Sequence, residues 1–145
     1  MRTNKPKRNG AAAVELAWVM IPLMMMLMGI FEYGWLLLNL NVLNNATREG
    51  CRYALVNNTS ATLSTDVTSV VTARMAGQNA NFKSFAVSVS GTSGGSPATL
   101  SDLRPGDMIT VTVSGQYIFL NVIPLVSMPT LNCSRSVTMT CEGGS

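Results

Sequence analysis

Histidine is absent from the 145-residue chain, and it is the side chain that most often serves as a general base or a metal ligand near neutral pH. The sequence also has no serine nucleophile elbow, no phosphate-binding loop and no paired carboxylates on one predicted element. Asp102 and Asp107 lack further oxygen ligands at regular spacing, so they are typical of a turn rather than a calcium loop. We therefore expect no enzymatic activity, no cofactor and no metal site.

Charged residues are few, at 12% of the chain, and they are unevenly placed. Four of the ten basic residues precede Gly10, and the remaining six face all seven acids. The chain after Gly10 is therefore close to neutral, without the basic stripe and interleaved aromatic residues that nucleic-acid binding requires. We expect no nucleic-acid partner.

The three cysteines, Cys51, Cys133 and Cys141, have neither CxxC nor zinc-site spacing. Cys133 and Cys141 fall on one predicted strand, about 26 Å apart if extended, which is too far for a direct bridge. Outside the cytoplasm there is room for one disulfide and one leftover thiol. Such a bridge would involve Cys51 or need a bend after Met139, and the sequence leaves open whether any disulfide forms.

An almost unbroken apolar run covers residues 11–31. As a helix it would be about 30 Å long, which matches the hydrocarbon thickness of a bilayer. Basic residues flank only its N-terminal end, so the positive-inside rule places the N-terminus in the cytoplasm and the rest of the chain outside. A cleaved signal peptide fits less well, because the run is too long and no small-x-small site follows it cleanly.

The helical pattern continues beyond the membrane-length run. One stripe at alternating steps of four and three contains Leu36, Leu40, Leu43, Thr47, Gly50 and Ala54. Polar and basic residues fall on other faces, as expected of a helix that packs on one side only. The sequence therefore predicts one continuous helix over residues 11–57, preceded by a basic leader over residues 1–10.

Residues 58–145 are predicted to form a small extracytoplasmic α+β domain. A second helix is expected from about Ser64 to Gly77, and alternating patterns predict strands over residues 85–89, 108–117 and 131–141. A flexible stretch is expected over residues 91–97, and an apolar loop over residues 122–129 packs on the helix or rests at the membrane surface. The predicted fold is a long transmembrane helix that continues into a small antiparallel sheet of about three strands and a second helix.

Glu15 is an acid near the start of the apolar run, where a carboxylate is costly. It lies about 6 Å beyond Ala11 along a helix. One interpretation is an interfacial acid close to the leader cations. The other is that a peptidase cuts after Gly10, and the new α-amine of Ala11 in one copy pairs with Glu15 of a neighbouring helix. Spacing alone does not separate these interpretations.

The pattern of Gly10 followed five residues later by Glu15, behind a basic leader, resembles the G|xxxxE processing site of the type IV pilin superfamily. Within that superfamily the runs RNGAAAVELA (residues 8–17), IPL (21–23), GIFEYG (29–34) and LNNATREGCRYA (43–54) resemble the TadE-like family. Cys51 departs from the small residue expected at its position. These proteins are minor pseudopilins of Tad, or Flp, pilus systems.

The resemblance implies cleavage by a prepilin peptidase after Gly10, with Ala11 as the new N-terminus and Glu15 acting in assembly. The implied partners are that peptidase, other pilins and pseudopilins, the Tad membrane assembly machinery and membrane lipid. The implied location is the bacterial inner membrane, with the pilus as a further destination. The alternative is an uncleaved signal-anchored protein whose outer domain binds a ligand or partner.

Overall fold

A computed structural model of the chain describes residues 9–58, 60–100, 103–119 and 129–141. In these ranges the elements are α1 (Asn9–Val56), α2 (Leu63–Arg74), a 3₁₀ helix (Gln78–Asn81), β1 (Phe82–Ser93), β2 (Ser96–Ala98), β3 (Met108–Tyr117) and β4 (Leu131–Thr140). The predicted α+β class is confirmed. Residues 1–8 of the predicted leader and all but the last residue of the predicted 122–129 loop lie outside the described ranges.

The long helix α1 has 48 residues, which corresponds to about 70 Å. Its first half carries side chains that are almost all exposed, whereas from Leu36 onward one face is covered by the rest of the fold. The predicted stripe lies on that face, because Leu43, Thr47, Gly50 and Ala54 are all buried. Thus a single helix serves as both an exposed apolar rod and part of a folded core.

The sheet has the order β2-β1-β3-β4, and all neighbours are antiparallel. The central strand β3 alternates strictly between a buried and a more exposed face, as a half-covered strand should. Its inward residues Ile109, Val111 and Val113 are fully buried beneath the helices. The core therefore lies between one face of the sheet and the packed half of α1, with α2 beside it.

A tight hairpin replaces the flexible stretch expected over residues 91–97, so that prediction was wrong. Gly94 and Gly95 have positive φ values of 56° and 85°, which suits a two-residue turn between antiparallel strands. The three residue pairs of β1 and β2 close the hairpin. Pro97 is tolerated there because β2 is an edge strand. The sheet therefore has four strands rather than about three.

Tyr117, at the end of β3, is completely buried. Its ring makes edge-to-face contacts with Phe82 and Phe119, at centroid distances of 5.8 and 5.2 Å. No described residue forms a hydrogen bond with its hydroxyl group. Burial, with smaller contributions from the nearby Glu32 and Cys133, raises the pKa of Tyr117 to about 12. The ring therefore stabilises the core, while its hydroxyl group is desolvated with no hydrogen bond to a described residue in compensation.

We expect Tyr117→Phe to raise the free energy of unfolding by about 1 kcal/mol, because it removes a buried hydroxyl group that has no described partner. The pKa of Tyr117 lies above its ordinary value of 10 in the folded state, so ionisation of this tyrosine does not lower the free energy of unfolding below pH 10. The free energy of unfolding falls as the pH rises from 10 to about 12, since the unfolded chain loses the proton first. Thermal unfolding of both proteins in detergent micelles across this range measures the difference. A lower free energy of unfolding in the variant would contradict the conclusion that the hydroxyl group of Tyr117 has no described hydrogen-bond partner.

Candidate functional site

Gly10 and Ala11 occupy the first turn of α1. Both are exposed, and a Cβ atom placed on Gly10 would meet no atom within 4 Å. The packed half of the helix begins only at Leu36. The peptide bond after Gly10 is therefore remote from the folded body, and neither residue contributes to its packing.

Glu15 lies one helical turn beyond Ala11, on the same face of α1. Its side chain is exposed, and within the described ranges it has no hydrogen-bond or ion-pair partner. Its neighbours Val14 and Leu16 are exposed apolar side chains. The carboxylate thus has no partner among the described residues, and in apolar surroundings it requires a partner or water.

The exposed half of α1 is long and apolar enough to cross a membrane, and none of its most apolar 18-residue window is buried inside the protein. The exposed large side chains on it include Trp18, Val19, Ile21, Met26, Ile30 and Phe31. An apolar surface this extensive is not left facing water in a folded protein. The chain thus has one N-terminal helix of the length and composition of a membrane anchor.

The three cysteines are buried free thiols in the structure. The Sγ atom of Cys51 lies 3.6 Å from the carbonyl oxygens of Ile109 and Val137, at the start of β3 and towards the end of β4. Cys133 lies near the beginning of β4, opposite Gly115, and Cys141 directly follows that strand. The predicted separation of Cys133 from Cys141 along one strand agrees with this placement.

Asn39 is a buried polar residue that the sequence reading missed. Its side-chain nitrogen donates to the Trp35 carbonyl oxygen at 2.8 Å, and its side-chain oxygen accepts from Asn81 Nδ2 at 2.9 Å. Asn81 also accepts a backbone hydrogen bond from Ile118. This network ties α1 to the end of β3. The spacing in the sequence indicates that Asn39 is buried, because it follows Leu36 by three residues and precedes Leu43 by four, and so lies on the buried stripe.

A small ion pair joins α1 to α2 outside the core. Arg74 Nη2 lies 3.1 Å from Glu49 Oε1, and both side chains are well exposed, at 62% and 39%. Exposed pairs of this kind contribute little to stability. The attachment of α2 to α1 therefore depends on apolar packing of Leu63, Val67 and Val71.

The family model described as TadE-like protein matches residues 10–52, a range that contains Gly10, Ala11 and Glu15 and extends into the packed half of α1. No curated protein and no solved structure matches the chain. The matched range lies within residues 8–54, over which the motifs that resemble this family are spread. The chain thus carries a TadE-like N-terminal segment, as its sequence motifs indicated.

Proposed function

We propose that this chain is a minor pseudopilin-like subunit that acts in the assembly of a Tad/Flp-type pilus, and that a prepilin peptidase cleaves it after Gly10. The observation that carries the proposal is the placement of Gly10 and Glu15 on the exposed start of a helix that matches the TadE-like family. The partners in this proposal are the peptidase, other pilins and pseudopilins, the Tad assembly machinery and membrane lipid.

The topology belongs to the same proposal. The four basic residues before Gly10 hold the N-terminus in the cytoplasm, and the α+β body lies on the other side of the inner membrane. The first half of α1 fills the bilayer, which accounts for its exposed apolar side chains. The packed half of α1 begins beyond the membrane-length run, so the folded body stands clear of the lipid.

Cleavage would change the chemistry at the start of α1. Hydrolysis of the Gly10–Ala11 peptide bond releases the leader and leaves a charged α-amine on Ala11. When helices associate with an axial offset, the amine of one copy meets the Glu15 carboxylate of its neighbour. Each unpaired charge is costly in an apolar bundle, so the paired arrangement selects one register. Glu15 is exposed and has no partner among the described residues, which supports this step.

The proposal is tested by the intact mass and N-terminal residue of the protein recovered from membranes of strains with and without the prepilin peptidase. We expect the chain to start at Ala11 only where the peptidase is present. A chain that still carries residues 2–10 in both strains would contradict processing. That result would favour the uncleaved anchor with an outer binding domain.

A further inference from the structure

The two outer strands of the described sheet differ in how they are protected from pairing with a further strand. At one edge, β2 has only three residues, and its Pro97 cannot donate a backbone hydrogen bond. At the other edge, β4 pairs with β3 over ten consecutive residues without a register shift. Edge strands are usually kept short, bulged, charged or interrupted by proline. Of these protections β4 has only a single charge, that of Arg135.

The outward backbone groups of β4 belong to alternate residues. The Cys141 N–H donates to the Asp107 carbonyl at 2.7 Å, and in an antiparallel ladder hydrogen-bonded pairs alternate with non-hydrogen-bonded pairs. The odd-numbered residues of β4 therefore bond to β3. The even-numbered residues direct their N–H and C=O groups away from it: Asn132, Ser134, Ser136, Thr138 and Thr140. Among the described residues, the sheet has no strand on that side.

The side chains along this edge define what a neighbouring strand would have to offer. On the inner face, Val137 and Met139 are only half-buried, so part of their apolar surface is uncovered. Arg135 is exposed on the same face, and no described carboxylate forms an ion pair with it. On the outer face, Ser136 and Thr138 are exposed hydroxyl residues. A complementary strand therefore alternates apolar with hydroxyl side chains and has an acidic residue beside Arg135.

The direction of α1 argues against a second copy of this chain as the neighbour. Early in its packed half, α1 is bonded through Asn39 and Asn81 to the end of β3, which is paired with the beginning of β4. Further along α1, Cys51 lies 3.6 Å from the Val137 carbonyl, so α1 and β4 run in the same direction. Antiparallel pairing of two β4 strands would point their α1 helices in opposite directions. The two apolar halves would then not enter one bilayer from the same side.

We propose that β4 is a docking edge for an extended segment of a different extracytoplasmic protein, which pairs antiparallel with β4. The backbone of the segment bonds to the even-numbered residues of β4, and an acidic side chain of the segment pairs with Arg135. This interaction goes beyond the pilus-assembly role and does not depend on cleavage after Gly10. The argument against a second copy does rest on the proposed membrane topology.

Amide hydrogen exchange of the full-length chain in detergent micelles, followed by NMR, tests whether the edge is open. We expect the amides of Ser134, Ser136 and Thr138 to exchange at least about a hundredfold faster than those of Val137 and Met139, because only the latter two bond to β3. Slow exchange at all five positions in the monomeric protein would show that the chain itself covers the edge. Slow exchange together with a doubled mass would show a second copy there. Either result would overturn the proposal.

The binding probe is a synthetic peptide as long as β4, in which threonine alternates with valine and an aspartate stands at the centre. When it is added, exchange at Ser134, Ser136 and Thr138 should slow by at least about tenfold, while Val137 and Met139 exchange as before. The same peptide with N-methylated backbone amides should not bind, because it cannot donate to the carbonyl groups of β4. Absence of binding, or equal binding of the methylated peptide, would contradict strand addition.

Ser136→Pro blocks the edge from the side of this chain. It removes an outward N–H and no bond to β3, which an edge strand tolerates. Ser136→Ala is the matched control, because both variants lose the hydroxyl group that contacts Thr112 but alanine keeps the N–H. We expect the proline variant to bind the peptide at least about tenfold more weakly than the alanine variant.

Slow exchange of Met139 in both variants shows that β4 is still paired with β3. Equal peptide binding by the two variants would then overturn the proposal. If the proline variant loses the slow exchange of Met139, the comparison of the plain and N-methylated peptides on the unaltered protein decides the result.

Discussion

Gly10→Leu should leave the precursor uncut, with the leader still attached to nearly every molecule. A prepilin peptidase that recognises a glycine before the scissile bond has no room for a branched side chain. The fold itself tolerates leucine, because Gly10 is exposed and nothing lies within 4 Å of its Cβ position. Leucine is also the better helix former, by about 0.5–1 kcal/mol. Intact mass of the membrane-extracted protein measures the cut fraction.

Glu15→Ala tests the proposed role of Glu15 in assembly. It should be cut normally but should lower incorporation or piliation by about a hundredfold, because an unpaired buried amine costs about 3 kcal/mol or more. Glu15→Gln, which keeps the shape without the charge, should behave like Glu15→Ala. Normal piliation in the Glu15→Ala strain would refute charge pairing, and efficient cutting of Gly10→Leu would refute recognition of the glycine.

Gly50→Leu should destabilise the body by about 3 kcal/mol or more, because it forces α1 and α2 apart. Even a single Cβ atom at Gly50 would lie 2.5 Å from Val71 Cγ2 and 3.4 Å from Val67 Cγ1. Both valines are fully buried, so neither side chain can swing out of the way without opening the core. We expect the melting temperature to fall by about 10 °C, as followed by circular dichroism in detergent micelles.

Gly34→Leu is the control for this prediction. Gly34 lies on the same helix, and a Cβ atom there would meet nothing within 4 Å. The same substitution should leave the melting temperature within about 2 °C of the original, since the gain in helix propensity is small. Equal melting temperatures for Gly50→Leu and the unaltered protein would show that α2 does not pack as closely as described.

Regular patterns made much of the fold predictable. The stripe from Leu36 to Ala54 located the packed face of α1, and strict alternation located β3 at its observed bounds. The turn expected at Asp107 is present, since the preceding Gly106 has a φ of 96° and the backbone N–H of Asp107 donates to the Arg104 carbonyl at 3.0 Å. These features are local, so a short window of sequence contains the physical cause.

Other features of the fold have sequence patterns that are compatible with two different structures. The Gly94–Gly95 pair is typical of both a flexible linker and a tight hairpin, and the flanking pairing of β1 with β2 decided between them. Asn39 has a polar side chain that is usually exposed, and the hydrogen bond that its side-chain oxygen accepts comes from Asn81, which is distant in the sequence. Processing at Gly10 and the assembly role of Glu15 remain predictions from the motif and the exposed helix start.

By itself the sequence determined the apolar N-terminal helix, the α+β class and the spacing of Gly10 and Glu15, because each is a pattern within one helix or strand. Tertiary structure alone decided that the Cys51 thiol packs against the carbonyl oxygens of Ile109 and Val137, and that Tyr117 is enclosed without a described partner for its hydroxyl group. Both outcomes follow from how α1 lies across β3 and β4. That packing brings together residues that are far apart in the chain, and no local sequence pattern indicates which of them become neighbours.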